Sequence, residues 1–340
     1  MTGIGVSLGW SHREPLDSIV GLVRDCEDRG VEACWVIDSQ VAMRDAFALL
    51  ANLATVTDRI MIGPGVTNLV TRHETVVANT LSTLSVLAPG RILAGLGAGD
   101  SAVFPIGLRP QTLTELRNGI GRLRKLLAGE TVEGSDGSYA LAGTSSHPAP
   151  IYLAASQPRM LELAGAVADG VIVMGPADPD VWASQLDHVT RGAMSVGRDP
   201  STVTKDFWVT MAVGAESLNS VRSWASAQAR WMARWKTVPA SLQRFRPEMV
   251  RSAEAYDFSR HLSLSASHPG VISDELAAAL AVVGTVAECV ERLGPLAELK
   301  PDRITLALLS GGRAHRLAEI MEVWGQLAGN GDPTRAGSGA

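Results

Sequence analysis

Short, continuous apolar runs alternate along the chain with longer segments whose apolar residues return every three or four positions. The runs fall at 4–8, 33–37, 59–62, 91–96, 151–155, 170–174, 205–213 and 303–309. Helical periodicity follows from Pro15 to Gly30, then at 46–54, 75–87, 113–127, 158–168, 181–195, from 217 to about 264, at 285–299 and at 314–327. The runs lack the apolar–polar alternation of a strand with one wet face. They therefore predict strands buried on both sides, as in a parallel sheet flanked by helices. Eight strand-then-helix units predict an α/β fold, a closed (β/α)8 TIM barrel, with an open doubly wound sheet as the rival reading. Residues 129–150, rich in Gly and Ser, read as a surface excursion. Residues 329–340 (GNGDPTRAGSGA) read as a flexible tail.

In a barrel the chemistry sits on the loops that follow the strands. Five of these loops carry an unusual share of small and polar residues: Asp38-Ser39-Gln40, GPGVTN at 63–68, GAGDSA at 97–102, AASQP at 154–158, and Gly175-Pro176. Glycine lets a backbone approach a ligand closely. Any one of these loops reads equally well as an ordinary turn, but five at one rim point to a shared cleft. Ser156, just before Pro158, reads as a helix N-cap whose neighbouring N–H groups would suit an anion. Asp38 and Asp100 are the acids at strand ends, fit for proton transfer or for orienting a ligand, or simply for capping their own loops. Arg72-His73 reads as an anion contact or as a surface helix start. Trp224, Trp231 and Trp235 share a helical face predicted to pack against the barrel or a second subunit, with a pocket-lining role as the lesser reading. Trp10 and Trp35 are placed to flank an aromatic cofactor.

Composition narrows the chemistry. The 340 residues exceed the roughly 250 of a plain barrel. With 46% hydrophobic and 19% charged residues, the chain can bury a large core. A net charge of −5 leaves no basic excess to neutralise a nucleic-acid backbone. Three scattered cysteines, and histidines without ligand spacing, argue against a disulfide framework and a metal site. No G-x-S-x-G elbow or phosphate-binding G-x-x-x-x-G-K-[ST] loop occurs. Gly95-Leu96-Gly97-Ala98-Gly99 is no dinucleotide fingerprint, because it follows the fourth strand and no helix opens directly after it. Without a secretory leader or a membrane-length apolar run, the expectation is a cytoplasmic protein acting on a small-molecule substrate, with no nucleic-acid or membrane partner.

The run DRIMIGPGVTNLVTRHETVVANTLSTLSVLAPGRILAGLGAGDSA resembles the bacterial luciferase-like superfamily, most of all its deazaflavin-dependent methylene-tetrahydromethanopterin reductase branch. GPGVTN, LSVLAPGR at 84–91 and GLGAGDSA at 95–102 carry the likeness. AASQPRMLELAGAVADGVIV at 154–173 is similar to the family's fifth-strand phosphate loop and helix, and GTVAECVERL at 284–293 to its C-terminal helix.

The resemblance implies a single TIM-barrel domain over 1–328 with an insertion between strands 7 and 8, at about 214–284. It implies coenzyme F420, an 8-hydroxy-5-deazaflavin, or alternatively FMN, and a homodimer. A non-proline cis peptide against the cofactor ring would fall between Gly65 and Val66, beside Thr67. Backbone at Gly97, Ala98 and Gly99 and at Ala155, Ser156 and Gln157, with Gly175, would hold the cofactor. Asp100 would be the acid, and Ser7, Asp38 and Thr67 would orient. Two departures stand out: Ser7 replaces the reductases' glutamate, and Ser39 replaces the histidine of a related sugar-phosphate dehydrogenase branch. The expectation is therefore an oxidoreductase moving a hydride between the deazaflavin and a small organic substrate that is neither a pterin nor glucose 6-phosphate. An FMN-dependent monooxygenase is the second reading, and a non-catalytic binding barrel the third.

Overall fold

The computed structural model describes residues 2–263, 265–308 and 311–330. The strands in chain order are β1 (Gly3–Leu8), β2 (Ala33–Val36), β3 (Met61–Pro64), β4 (Thr67–Asn68), β5 (Ala94–Gly97), β6 (Val132–Gly134), β7 (Gly137–Tyr139), β8 (Ile151–Ala155), β9 (Gly170–Met174), β10 (Thr204–Val209), β11 (Met211–Val213), β12 (Val282–Gly284) and β13 (Arg303–Ala307). The helices are α1 (Leu16–Asp28), α2 (Ala46–Val56), α3 (Glu74–Leu87), α4 (Leu113–Leu127), α5 (Pro158–Val167), α6 (Pro179–Ser195), α7 (Ser217–Met232), α8 (Arg246–Glu254), α9 (Asp274–Leu280), α10 (Val286–Glu298) and α11 (Arg313–Asn330).

One parallel sheet runs in the order β3-β2-β1-β13-β10-β9-β8-β5-β4. It curls until its ends meet. Ile62 bridges Ile92, and Thr67 and Asn68 pair with Leu96 and Gly97. β3 and β4 are thus two halves of barrel strand three, and the fold is a (β/α)8 TIM barrel with an insertion between the seventh and eighth barrel strands.

The two faces of the wall explain why the strands show no polar alternation. Ile4, Val6, Leu8, Cys34 and Val36 point outward into the layer shared with the helices. Ala33, Trp35, Leu93, Tyr152 and Ile172 point inward. Both environments are apolar, so period two leaves no trace in hydropathy. Inside, bulk from some strands meets glycine from others. Trp35 lies edge-on to Tyr152 at 5.4 Å and 5.9 Å from Trp208. A Cβ on Gly95 would stand 2.1 Å from the Pro64 carbonyl oxygen and 2.9 Å from Trp35. Neither backbone nor a fully buried indole can retreat, so Gly95→Ala is expected to destabilise the fold by about 1–3 kcal/mol. An unchanged urea midpoint would show that the barrel absorbs the methyl.

Below the site the interior is polar but closed. Asp206, fully buried, accepts from Trp35 Nε1 at 3.0 Å, Arg303 Nη1 at 3.1 Å and Thr305 Oγ1 at 2.7 Å. Burial pushes its carboxyl up, while Arg303, Thr305 and Trp35 pull it back down.

Several expectations are corrected. The seventh apolar run is two strands. β10 stays in the wall, whereas β11 leaves it to pair with β12 outside the barrel, so the insertion is stitched by its own two-stranded sheet. The long helix from 217 ends at Met232. Pro239 interrupts the chain, and Pro247 sits in the first turn of α8, where its missing N–H is tolerated. Position 264, its expected end, lies outside the described residues. The 129–150 excursion contains the hairpin β6–β7. Helix α11 runs through Asn330, past the expected start of the tail, and 331–340 lie outside the described residues. So does Leu309, the expected end of the eighth strand.

Candidate active site

The carboxyl ends of the barrel strands open into a cavity of ≈ 570 Å³. That lies within the several hundred Å³ typical of small-molecule sites. The thirteen residues that the family resemblance assigned to catalysis or cofactor binding all line it: Ser7, Asp38, Gly65, Val66, Thr67, Gly97, Ala98, Gly99, Asp100, Ala155, Ser156, Gln157 and Gly175. The peptide between Gly65 and Val66, where strand three breaks, is cis.

The glycines of strand three and strand four serve packing as well as access. A Cβ on Gly65 would stand 2.7 Å from both Trp208 and Trp35, and one on Gly97 2.9 Å from Val66. Gly99 has φ +99, a backbone that side chains rarely adopt.

The two acids are held by arginines from elsewhere rather than capping their own loops. Asp38 is buried. Its Oδ2 accepts from Thr67 Oγ1 at 2.7 Å and from Arg72 Nη1 at 2.6 Å. Burial pushes its carboxyl up, against the pull of Arg72 and Thr67. Arg72 also bonds Asp45 at 2.8 Å and covers the Phe47 ring at 4.9 Å, so it is spent within the fold. His73 is the N-cap of α3, accepting from the Thr75 N–H.

Asp100 receives both terminal nitrogens of Arg230, one at 3.0 Å, and Arg234 stands at 3.8 Å. Arg230 comes from α7 in the insertion and is almost wholly buried, with the rings of Tyr256 and Phe258 at 4.7 and 4.9 Å. This bidentate pair ties the insertion to the loop after β5. Gln228, also from α7, donates to the Gly175 carbonyl at 2.5 Å.

Other features differ from the sequence reading. The N-cap of α5 is Gln157, not Ser156, because Pro158 is already the first helical residue; no side chain caps that end. Trp224, Trp231 and Trp235 line the cavity, so the face that suggested a second subunit is directed to the site. Trp35 is buried beneath the cavity and Trp10 packs under Arg44, so neither lines it.

Sequence reasoning missed Trp208, Arg159, Arg230 and His261, all of which line the cavity. Trp208 Nε1 is buried without a hydrogen-bond partner among the described residues. Arg159, in the first turn of α5, makes no ion pair among those residues. His261 Nδ1 lies 2.6 Å from the Tyr256 hydroxyl, a hydrogen bond whose direction depends on the imidazole tautomer. The insertion screens the ring from solvent, and that burial, reinforced by Arg230, holds its pKa down to about 3. It is neutral at physiological pH.

Among the described residues, no group of three His, Cys, Asp or Glu is placed to hold a metal ion, and no helix is long and apolar enough to cross a membrane.

The cavity thus offers main chain from three glycine-bearing loops, an unpartnered indole N–H and an unpaired arginine. That inventory suits a flat, anion-bearing ligand better than a metal or a nucleophile.

Comparison with known proteins shows what the whole chain is similar to. A 5,10-methylenetetrahydromethanopterin reductase of Methanolobus tindarius is 28% identical over 84% of this chain and 88% of its own length. An F420-dependent hydroxymycolic acid dehydrogenase of Mycobacterium tuberculosis is 30% identical over 79% of this chain and 77% of its own. The solved coenzyme F420 dependent tetrahydromethanopterin reductase of Methanopyrus kandleri superposes with a TM-score of 0.76 at 20% identity, covering 96% of this chain and 97% of that one. The family model for luciferase-like monooxygenase matches residues 2–303. This chain is an oxidoreductase that belongs to the luciferase-like monooxygenase family and resembles its F420-dependent branch.

Proposed function

We propose that the protein binds coenzyme F420 in this cavity and transfers a hydride between it and a small organic substrate. The observation that carries the reading is the convergence of Gly65–Thr67, Gly97–Gly99 and Ala155–Gln157 on one cavity, in a chain whose relatives include F420-dependent enzymes. Bound there, the deazaflavin would supply the hydride-carrying carbon.

The chain's own groups bind and orient. Backbone at Gly97–Gly99 and Ala155–Gln157, with Arg159 beside them, would hold the phosphate-bearing end. Main chain at Gly65–Thr67 and the indole of Trp208 would border the ring. Ser7, Asp38 and Thr67 would fix polar atoms at the floor, with the Arg72 ion pair keeping Asp38 in place. Asp100, with both oxygens fixed by Arg230, would act as a positioned carboxylate, a different task from the acid that family likeness alone suggested. With Ser7 and Ser39 at the two places where the resemblance implies Glu and His, neither a pterin nor glucose 6-phosphate is the expected substrate.

The FMN-dependent monooxygenase reading draws on the family model's own description. Titrating the purified protein with F420 and, separately, FMN while following tryptophan fluorescence separates them, because four tryptophans line the cavity. Saturable quenching by F420, with hydride transfer to or from a panel of ketones and alcohols, is expected. Binding of FMN with oxygen uptake would establish the rival. Binding without turnover of either would leave a binding barrel. Arg159→Ala is expected to weaken F420 about tenfold, the effect of one hydrogen bond to a charged group. An unchanged dissociation constant would remove Arg159 from the anion site.

A further inference from the structure

Charge does not balance on the insertion side of the cavity. At the floor, Asp38 is answered by Arg72. On the insertion side a single carboxylate, Asp100, faces two arginines, Arg230 and Arg234, and all three line the cavity. Arg230 takes both oxygens of Asp100. Arg234 Nη1 stands 3.8 Å from Asp100 Oδ1, beyond the reach of a hydrogen bond. The Arg234 side chain is half-exposed and makes no hydrogen bond among the described residues. A guanidinium stays charged at any ordinary pH. This corner therefore holds one positive charge in excess, on a side chain whose N–H donors are uncommitted.

That side chain is also held in place. Arg234 follows the C-terminal end of α7, and its guanidinium lies 4.2 Å over the ring of Phe104, in the short turn after β5. Stacking on a ring engages the face of the group and leaves its N–H edge free. Trp231 and Trp235, 5.4 Å apart, flank it in sequence and line the cavity. Ile37, Trp224, Ala227 and Leu262 continue the apolar wall. Arg159 belongs to another side. It rises from α5 and also borders a second cavity of ≈ 310 Å³ with Thr114 and Arg117, which no described residue of the insertion lines.

We infer that Arg234 is the specificity-determining residue of the substrate half of the cavity, and that it selects a monoanionic organic acid, with the carboxylate on the guanidinium edge and an apolar body against the tryptophan wall. The inference rests on the hydride-transfer reading only for the role of that acid as substrate; the anion site is a property of the chain alone. One carboxylate offsets the one excess charge, and its two oxygens match the fork of an arginine. A dianionic phosphate monoester would leave a negative charge unanswered beside an apolar wall. An uncharged analogue would fill the same space and leave the arginine without a partner.

Titrating the cofactor-free protein with small probes, followed by tryptophan fluorescence, tests this. Cyclohexanecarboxylate is expected to bind about tenfold more tightly than the uncharged and similarly shaped cyclohexanecarboxamide, the effect of a hydrogen bond to a charged group. Cyclohexyl phosphate should bind no more tightly than the carboxylate. Arg234→Met keeps an unbranched side chain over Phe104; it should erase the carboxylate's advantage and leave the carboxamide unchanged. Arg234→Lys, with a charge but no fork, should fall between. Arg159→Ala should bind the carboxylate as wild type does. Arg234→Met should change the F420 dissociation constant less than about twofold, since a half-exposed charge is screened from a ligand it does not touch. No difference between carboxylate and carboxamide, tighter binding of the phosphate, an advantage that survives in Arg234→Met, or one that disappears in Arg159→Ala would overturn the inference. So would loss of F420 affinity in Arg234→Met, because the cofactor's own anionic end would then be the occupant. Failure of the wild-type protein to bind F420, with the carboxylate results intact, would instead strike at the cofactor reading and leave the anion site standing.

Discussion

Asp206→Ala is expected to lower the stability of the fold by about 3–5 kcal/mol, the largest effect of any single change considered. The cost does not come from a lost attraction alone. Asp206 is fully buried, and so nearly is its partner Arg303. Removing the carboxylate leaves a guanidinium charge inside the barrel with no counter-ion, and it strips the acceptor from Trp35 Nε1 and Thr305 Oγ1 at once. Asp206→Asn keeps a carbonyl oxygen for one of these donors, so its loss should fall between wild type and Ala. Urea unfolding followed by tryptophan fluorescence reads the series. A wild-type midpoint for Asp206→Ala would mean that water reaches Arg303 and the barrel floor is not closed.

Asp100→Asn is expected to reduce turnover about 100-fold while changing the F420 dissociation constant less than about threefold. Asparagine keeps the shape and one oxygen for Arg230, so the insertion should stay docked, but the negative charge facing the cavity disappears. Arg230→Met makes the complementary change. It fills the slot between Tyr256 and Phe258 with an apolar chain, keeps the carboxylate, and leaves it free to swing. If Asp100 acts through its fixed position, both variants lose turnover; if charge alone matters, only Asp100→Asn does. Steady-state kinetics on both, with cofactor titrations alongside, separate the outcomes. Unaltered turnover in Asp100→Asn would remove the residue from the reaction.

The barrel was legible because apolar runs and helical periods alternate eight times, and each unit is local in sequence. The glycine-bearing loops were legible for the same reason: the ends of barrel strands two to six are each marked by a change in composition, whereas the apolar run at 205–213 hid the end of the seventh. What escaped depends on contacts between distant segments. Asp100 and Arg230 lie 130 positions apart, and nothing near either names the other. His261 sits in a stretch of short turns without periodicity, between Phe258–Arg260 and the 3₁₀ turn at His268–Val271. Its meaning comes from the tyrosine five residues earlier, a pairing no spacing rule marks. Trp208 did leave a trace. KDFWVT at 205–210 puts an acid and an indole two positions apart on the same side of a strand otherwise read as apolar, and that side is the barrel interior.

The charged plug around Asp206 also governs traffic. With Trp35, Tyr152 and Arg303 buried in the cylinder from beneath, the described residues leave no passage through the barrel floor. A cofactor and a substrate that shared this cavity would therefore both have to come and go on the side of the strands' carboxyl ends.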